Sequence, residues 1–150
     1  EPDRYLEAFI GAGAAMITVH AEVLPHLHRT LTRIRQLGAK AGVAINPGTS
    51  INAVAEVVAE MDHLLVMSVN PGFGGQTFIP HTLIKVAAAR ALLGPAGPTI
   101  EIDGGVDPTN AAALVAAGAT ILVAGASIFG TPDPGAAVRA LRQAAGAPRE

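Results

Sequence analysis

HLLVMSVNPGFGGQ, residues 63–76, decides how the rest of the chain is read. Its first half is a short apolar run; its second half, VNPGFGGQ (69–76), puts three glycines and a proline into eight positions. An apolar run this short, bounded by turn residues, predicts a strand covered on both faces rather than a buried helix. This strand, over 64–69, has four counterparts at 16–19, 41–45, 99–102 and 121–123. Between them lie stretches with helical spacing: Leu27, Leu31, Ile34 and Leu37; Val54, Val57, Val58 and Met61; Leu83, Ile84, Val86, Ala87 and Leu92; Ala113, Leu114 and Ala117. A further helix is predicted over 136–145. Strands alternating with helices predict successive βα units and a parallel α/β sheet, because parallel neighbours need a crossover of a dozen or more residues. The strand starts lie 25, 23, 35 and 22 residues apart, and the long interval holds VNPGFGGQ. That loop is an addition to the bare unit, as functional loops are.

Composition agrees with a buried sheet. Of 150 residues half are apolar and only 15% charged, below the roughly 25% of soluble domains. A net charge of −2 with interspersed signs gives no basic stripe for nucleic acid and no cationic helix for lipid. With no cysteine there is no disulfide framework, thiolate metal site or thiol nucleophile, and a cytoplasmic setting is expected. No apolar run approaches the ~20 residues of a membrane span.

An internal repeat refines the architecture. AFIGAGAAMITV (8–19) aligns with ALVAAGATILVA (113–124) at an offset of 105 residues, sharing the triplet Ala12-Gly13-Ala14 with Ala117-Gly118-Ala119. In each copy a helix is predicted to end at glycine, which accepts the left-handed position after a helix, with a strand following at once. Four βα units separate the copies, the spacing of two halves of a (βα)8 TIM barrel. Residues 1–150 are expected to form a single domain, an incomplete barrel with about five parallel strands. The chain is expected to open inside a helix running to Ile10 and capped by Asp3, and the uncovered sheet to favour aggregation or pairing.

The chemistry gathers at strand ends. Asp103 in TIEIDGGV follows a short strand, so its carboxylate stands at the end where barrel active sites are assembled. Gly104 and Gly105 allow a tight turn and expose main-chain N–H groups suited to a phosphate. Gly125 and Ala126, opening GASIF, offer a second set of donors. Gly72, Phe73, Gly74 and Gly75 form a hinged loop in which Phe73 would cover a ligand and exclude water. His20, beside Glu22, is a candidate polar wall residue, and Asn46 and Pro47 candidate lining of the pocket mouth. His26, His28, His63 and His81 read as solvated or capping.

In their order and spacing, ITVHAE, HLHRTL, LGAKAGVAINP, MSVNPGFGGQTFIP, EIDGGV and LVAGASIFG resemble the ribulose-phosphate 3-epimerases over essentially the whole chain. The resemblance implies a (βα)8 barrel of the ribulose-phosphate-binding type, here without its first three βα units. It implies interconversion of D-ribulose 5-phosphate and D-xylulose 5-phosphate through an enediolate, with a divalent metal (Zn, Fe, Mn or Co) and no organic cofactor. Asp103 then serves as metal ligand and acid/base, and Met67 flanks the reacting centre. Gly72, Phe73, Gly74 and Gly75 form the lid, and Gly104, Gly105, Gly125 and Ala126 face the phosphate. The family carries Gly-Ser where this sequence has Gly125-Ala126. The second aspartate, two metal-binding histidines and a serine would lie on strands outside this sequence, so the chain alone is expected to be inactive. A homo-oligomer is expected of the complete enzyme. The alternatives are an epimerase of another ketose phosphate, of the allulose 6-phosphate type, or a non-catalytic remnant that binds phosphate or serves assembly.

Overall fold

The computed structural model describes residues 1–146, and among these five strands form one parallel sheet in the order β1-β2-β3-β4-β5. The strands are β1 Met16–His20, β2 Lys40–Ile45, β3 His63–Met67, β4 Thr99–Asp103 and β5 Ile121–Val123. Each is within two residues of its predicted limits at either end. The α-helices are α1 Leu6–Gly11, α2 Leu27–Gln36, α3 Thr82–Leu93, α4 Ala111–Ala117, α5 Ala126–Phe129 and α6 Pro134–Ala144. No helix among the described residues is long and apolar enough to cross a membrane.

Alternation along the strands separates two faces. Val19, Val43, Ile45, Leu64, Val66, Ile100 and Ile102 are buried on one face. They share a single apolar core with Leu31 and Ile34 of α2, Val86 and Ala89 of α3, and Leu114 of α4. The other face follows the pairing: Thr18 opposite Gly42, Gly42 opposite His63, and His63 opposite Thr99. One step further along the strands, Leu65 faces Glu101, and one step beyond that Met67 faces Asp103. This second face lines the inside of a barrel, and its polar content explains the weak alternation of the strand sequences.

Three expectations change. Residues Ile51–Glu60 form a 3-10 helix, not an α-helix, with Ser50 accepting from the Asn52 N–H at its start. Buried Val54 and Val57 lie three residues apart, the repeat of a 3-10 turn, in a segment rich in β-branched residues. Asp3 does not cap a helix through Ile10: Pro2–Arg4 is a 3-10 turn and α1 has no side-chain cap. The Asp3 carboxylate instead accepts from the Thr30 hydroxyl at 2.7 Å, tying the N-terminal turn to α2. His63 is neither solvated nor capping. It is 2% exposed on the inner face, with Nδ1 2.8 Å from Thr99 Oγ1 and Nε2 3.3 Å from Glu101 Oε2. The repeat behaves as predicted: Gly13 and Gly118 both have positive φ, at 102° and 116°, Gly118 directly after α4 and Gly13 one residue further on, after the Ala12 cap of α1.

Gly42 is fixed by crowding on the inner face. A Cβ there would stand 2.3 Å from Thr18 Oγ1 and 3.2 Å from His63 Cδ2. Gly42→Ala is expected to cost about 1–3 kcal/mol in urea unfolding. Gly48→Ala, which meets nothing within 4 Å, is the neutral control.

Burial holds the His63 imidazole below its usual 6.5, against the opposing pull of Glu101. The unfolded chain therefore takes up this proton at a higher pH than the folded one. His63 is neutral in both states well above pH 6.5, and stability falls as pH drops through 6.5 toward the lower folded value. Between pH 8 and pH 5 the urea midpoint should fall further in the wild type than in His63→Gln.

Candidate active site

β3 and β4 end together, and the chain leaving them is stitched into one surface. The Ser68 N–H donates to Asp103 O at 2.8 Å, and its hydroxyl to Gly104 O at 2.6 Å. Gly104 has φ +123°, and a Cβ there would lie 2.4 Å from the Val69 side chain and 2.9 Å from the Val69 nitrogen. Gly105 has φ +63°, and a Cβ would lie 2.6 Å from the Phe78 nitrogen. Both glycines are thus required by the close approach of the loop after β3, besides any contact with a ligand.

The turn that follows is stiffened by its own side chains. Asp107 accepts from the Thr109 N–H and hydroxyl at 2.7 and 2.6 Å, and the Thr109 hydroxyl bond holds its carboxyl below the usual carboxylate range. Asn110 donates to Gly105 O at 2.9 Å, pinning the second glycine from outside. Across the cleft, the Ser127 hydroxyl donates to Val106 O at 2.6 Å and joins the start of α5 to the loop after β4. That hydroxyl is already used, so the Gly125-Ala126 turn offers a ligand only its main-chain donors.

These loops enclose a cleft of about 850 Å³ at the C-terminal ends of β3, β4 and β5. Of the residues singled out from the sequence, Met67, the loop residues Gly72, Phe73, Gly74 and Gly75, Asp103 with Gly104 and Gly105, and Gly125 with Ala126 line it. Phe73 is 75% exposed at the loop tip. Among the described residues no group of three or more His, Asp or Glu is arranged to hold a metal ion.

His20, Asn46 and Pro47 stand apart from this cleft, at the ends of β1 and β2, where they belong to a separate network. Glu22 accepts from the Asn46 N–H at 2.7 Å and the Thr49 hydroxyl at 2.5 Å, and meets His20 Nδ1 at 3.2 Å. Lys85 is 8% exposed, and its ammonium donates to the Asn46 and Pro47 carbonyls at 2.9 and 2.7 Å. Burial lowers the Lys85 pKa and nearby Glu22 opposes the shift. Asn46 and Pro47 thus act here through main-chain atoms.

The residues missed in the sequence are those that brace the loops: Ser68, Gln76, Asp107 and Asn110. Of these, the D-P-T-N turn from Asp107 carries a local signal, since Asp and Asn both bond to nearby backbone in turns. Ser68 has none, because its partners lie on a strand 36 residues away.

Comparison with known proteins bears on the same segments. Residues 1–129 match the model of the ribulose-phosphate 3 epimerase family. The chain is 47% identical over 146 residues to a ribulose-phosphate 3-epimerase of Synechocystis sp., covering 95% of this chain and 64% of that protein. It is 46% identical over 146 residues to the chloroplastic ribulose-5-phosphate-3-epimerase of Arabidopsis thaliana, covering 95% and 52%. Among solved structures, a 3-hexulose-6-phosphate synthase superposes with a TM-score of 0.71 at 23% identity, over 95% of this chain and 67% of that one. The present sequence thus spans between half and two thirds of the length of these two relatives. With a βα-barrel sheet, a cleft at its C-terminal rim and this similarity along nearly its whole length, the chain belongs to the ribulose-phosphate 3-epimerase family.

Proposed function

We propose that this chain forms a single domain, residues 1–150, supplying part of the (βα)8 barrel of a ribulose-phosphate 3-epimerase acting on D-ribulose 5-phosphate and D-xylulose 5-phosphate. The observation that carries the reading is the convergence of the Asp103 carboxylate with two sets of glycine-turn main-chain donors in a single cleft beneath a glycine-rich loop. A ketose phosphate needs those parts: donors for the phosphate, a base at the carbon, and a cover.

Epimerisation at C3 exchanges one proton between the two faces of the carbon and needs no redox cofactor. The Asp103 carboxylate takes the C3 proton, the C–H electron pair moves toward C2, and the carbonyl oxygen gains charge as an enediolate. Return of a proton from the opposite face inverts the centre; from the same face it restores the substrate. Met67, beside Asp103 on the inner face, presents an apolar flank to the planar intermediate. Closure of Phe73 removes water that would otherwise quench it. Gly104, Gly105, Gly125 and Ala126 hold the phosphate through N–H groups, fixing the distance from phosphate to C3.

The family resemblance implies a divalent metal with Asp103 among its ligands. Asp103 alone does not make a metal site, and the described residues supply no cluster of three donors. The residues of this chain alone therefore do not fit the ion, and the proton transfer is assigned here only to Asp103.

Asp103→Asn in the enzyme carrying this sequence should reduce turnover of ribulose 5-phosphate by about 10³-fold, as loss of a catalytic acid/base does. The assay follows xylulose 5-phosphate formation, and near-wild-type turnover would remove Asp103 from the mechanism. Gly105→Ala forces a side chain onto the Phe78 backbone at positive φ. It should lower kcat/KM by about 10²-fold through displacement of the loop base.

A further inference from the structure

The glycine-rich loop has an internal fastening that its sequence does not advertise. Its base is closed by the Ile79 N–H donating to Ser68 O at 3.0 Å. Within that base the Gln76 side-chain amide donates to Asn70 O at 2.6 Å and to Phe73 O at 2.9 Å. A primary amide has two N–H donors, and both are used here. Both acceptors are carbonyls of the loop itself, so the bonds tie the loop to itself.

This placement matters because the tied segment is intrinsically loose. Gly72 and Gly75 have φ of 146° and 75°, and glycine loses more conformational freedom on ordering than any other residue. Flanking positions are anchored: Val69 is 7% exposed, and Phe78 backs onto Gly105. Gln76 spans the region between these anchors, bridging the start of the loop at Asn70 and its tip at Phe73. Gly72, Phe73, Gly74 and Gly75, the four residues between Pro71 and Gln76, all line the cleft.

We propose that Gln76 is a positioning residue: its two donated bonds hold Gly72–Gly75 in the cleft-lining conformation, so the loop closes over a ketose phosphate as a preformed flap. This rests on the ketose-phosphate reading above. Loss of the bonds moves the ordering of the flap from folding to ligand binding, which weakens affinity for the ligand the flap covers. Inorganic phosphate is gripped by the loops after β4 and β5 and does not need the flap, so its affinity is unaffected.

The test compares Gln76→Ala and Gln76→Glu with wild type in the enzyme carrying this sequence. Glutamate keeps the size of glutamine but, ionised, donates no hydrogen bond. Affinities for ribulose 5-phosphate and inorganic phosphate are measured by calorimetry, turnover by xylulose 5-phosphate formation, and flap order by amide hydrogen exchange over residues 70–76. Both variants should bind ribulose 5-phosphate about tenfold more weakly, with phosphate binding within twofold of wild type, faster flap exchange and unchanged thermal melting. A Gln76→Glu variant that matches wild type would show that bulk rather than donation holds the flap, and would overturn the proposal. Equal weakening for phosphate and ribulose 5-phosphate would also overturn it, since the effect would then be general. If the wild-type enzyme binds ribulose 5-phosphate without turning it over, the functional reading falls while the affinity and exchange measurements still decide the role of Gln76.

Discussion

Met67 and Asp103 stand side by side because β3 and β4 pair in register from His63 opposite Thr99 onward. The cleft depends on that register. Side chains alternate along a strand, so a slip of one residue would turn Asp103 into the helix layer and bring Ile102 to the inner face. Such a slip would bury a carboxylate among Val66, Val86 and Ile100 without a partner, and the desolvation cost makes it strongly unfavourable. The same pairing sets Ser68 against the carbonyls of Asp103 and Gly104, so strand register and loop anchoring are one constraint.

The parallel sheet and the rim residues were readable from the sequence because they rest on local patterns: short apolar runs bounded by glycine, helical spacing between them, and glycine clusters at strand ends. Other features were not, because they depend on partners distant in the chain. His63 looked like a surface residue at a strand start; only pairing with β4 brings Thr99 and Glu101 to its two ring nitrogens. Asp3 has the chemistry of a cap, but Thr30 of α2 claims its carboxylate. Residues 51–60 carry apolar positions compatible with either helix type, and packing of Val54 and Val57 against the core goes with the tighter winding. Asn46 and Pro47 were placed at the correct end of β2, but their role as acceptors for Lys85 requires α3 to lie beneath them.

The two faces of the sheet divide the work between stability and chemistry. The helix-side face is almost uniformly aliphatic and supplies the apolar burial that holds the fold. The inner face carries Thr18, His63, Thr99 and Glu101, groups that need partners once removed from water. Gly42 leaves the room in which Thr18 and His63 can approach each other. A polar interior of this kind contributes less to stability than an aliphatic one, but it lets the strands that hold it present a carboxylate at their ends.

The Ser127 hydroxyl is committed to Val106 O, which leaves the Gly104-Gly105 and Gly125-Ala126 turns with main-chain amides as their donors. Such donors have no ionisable hydrogen in the range of living cells and no side chain to oxidise or trim. Their strength is therefore constant from mildly acidic to mildly alkaline solution. If a phosphate is held there as proposed, its own second ionisation, at about pH 6, and not its main-chain donors, would make those contacts sensitive to acidity. A phosphate anchor built this way would add no titration of its own.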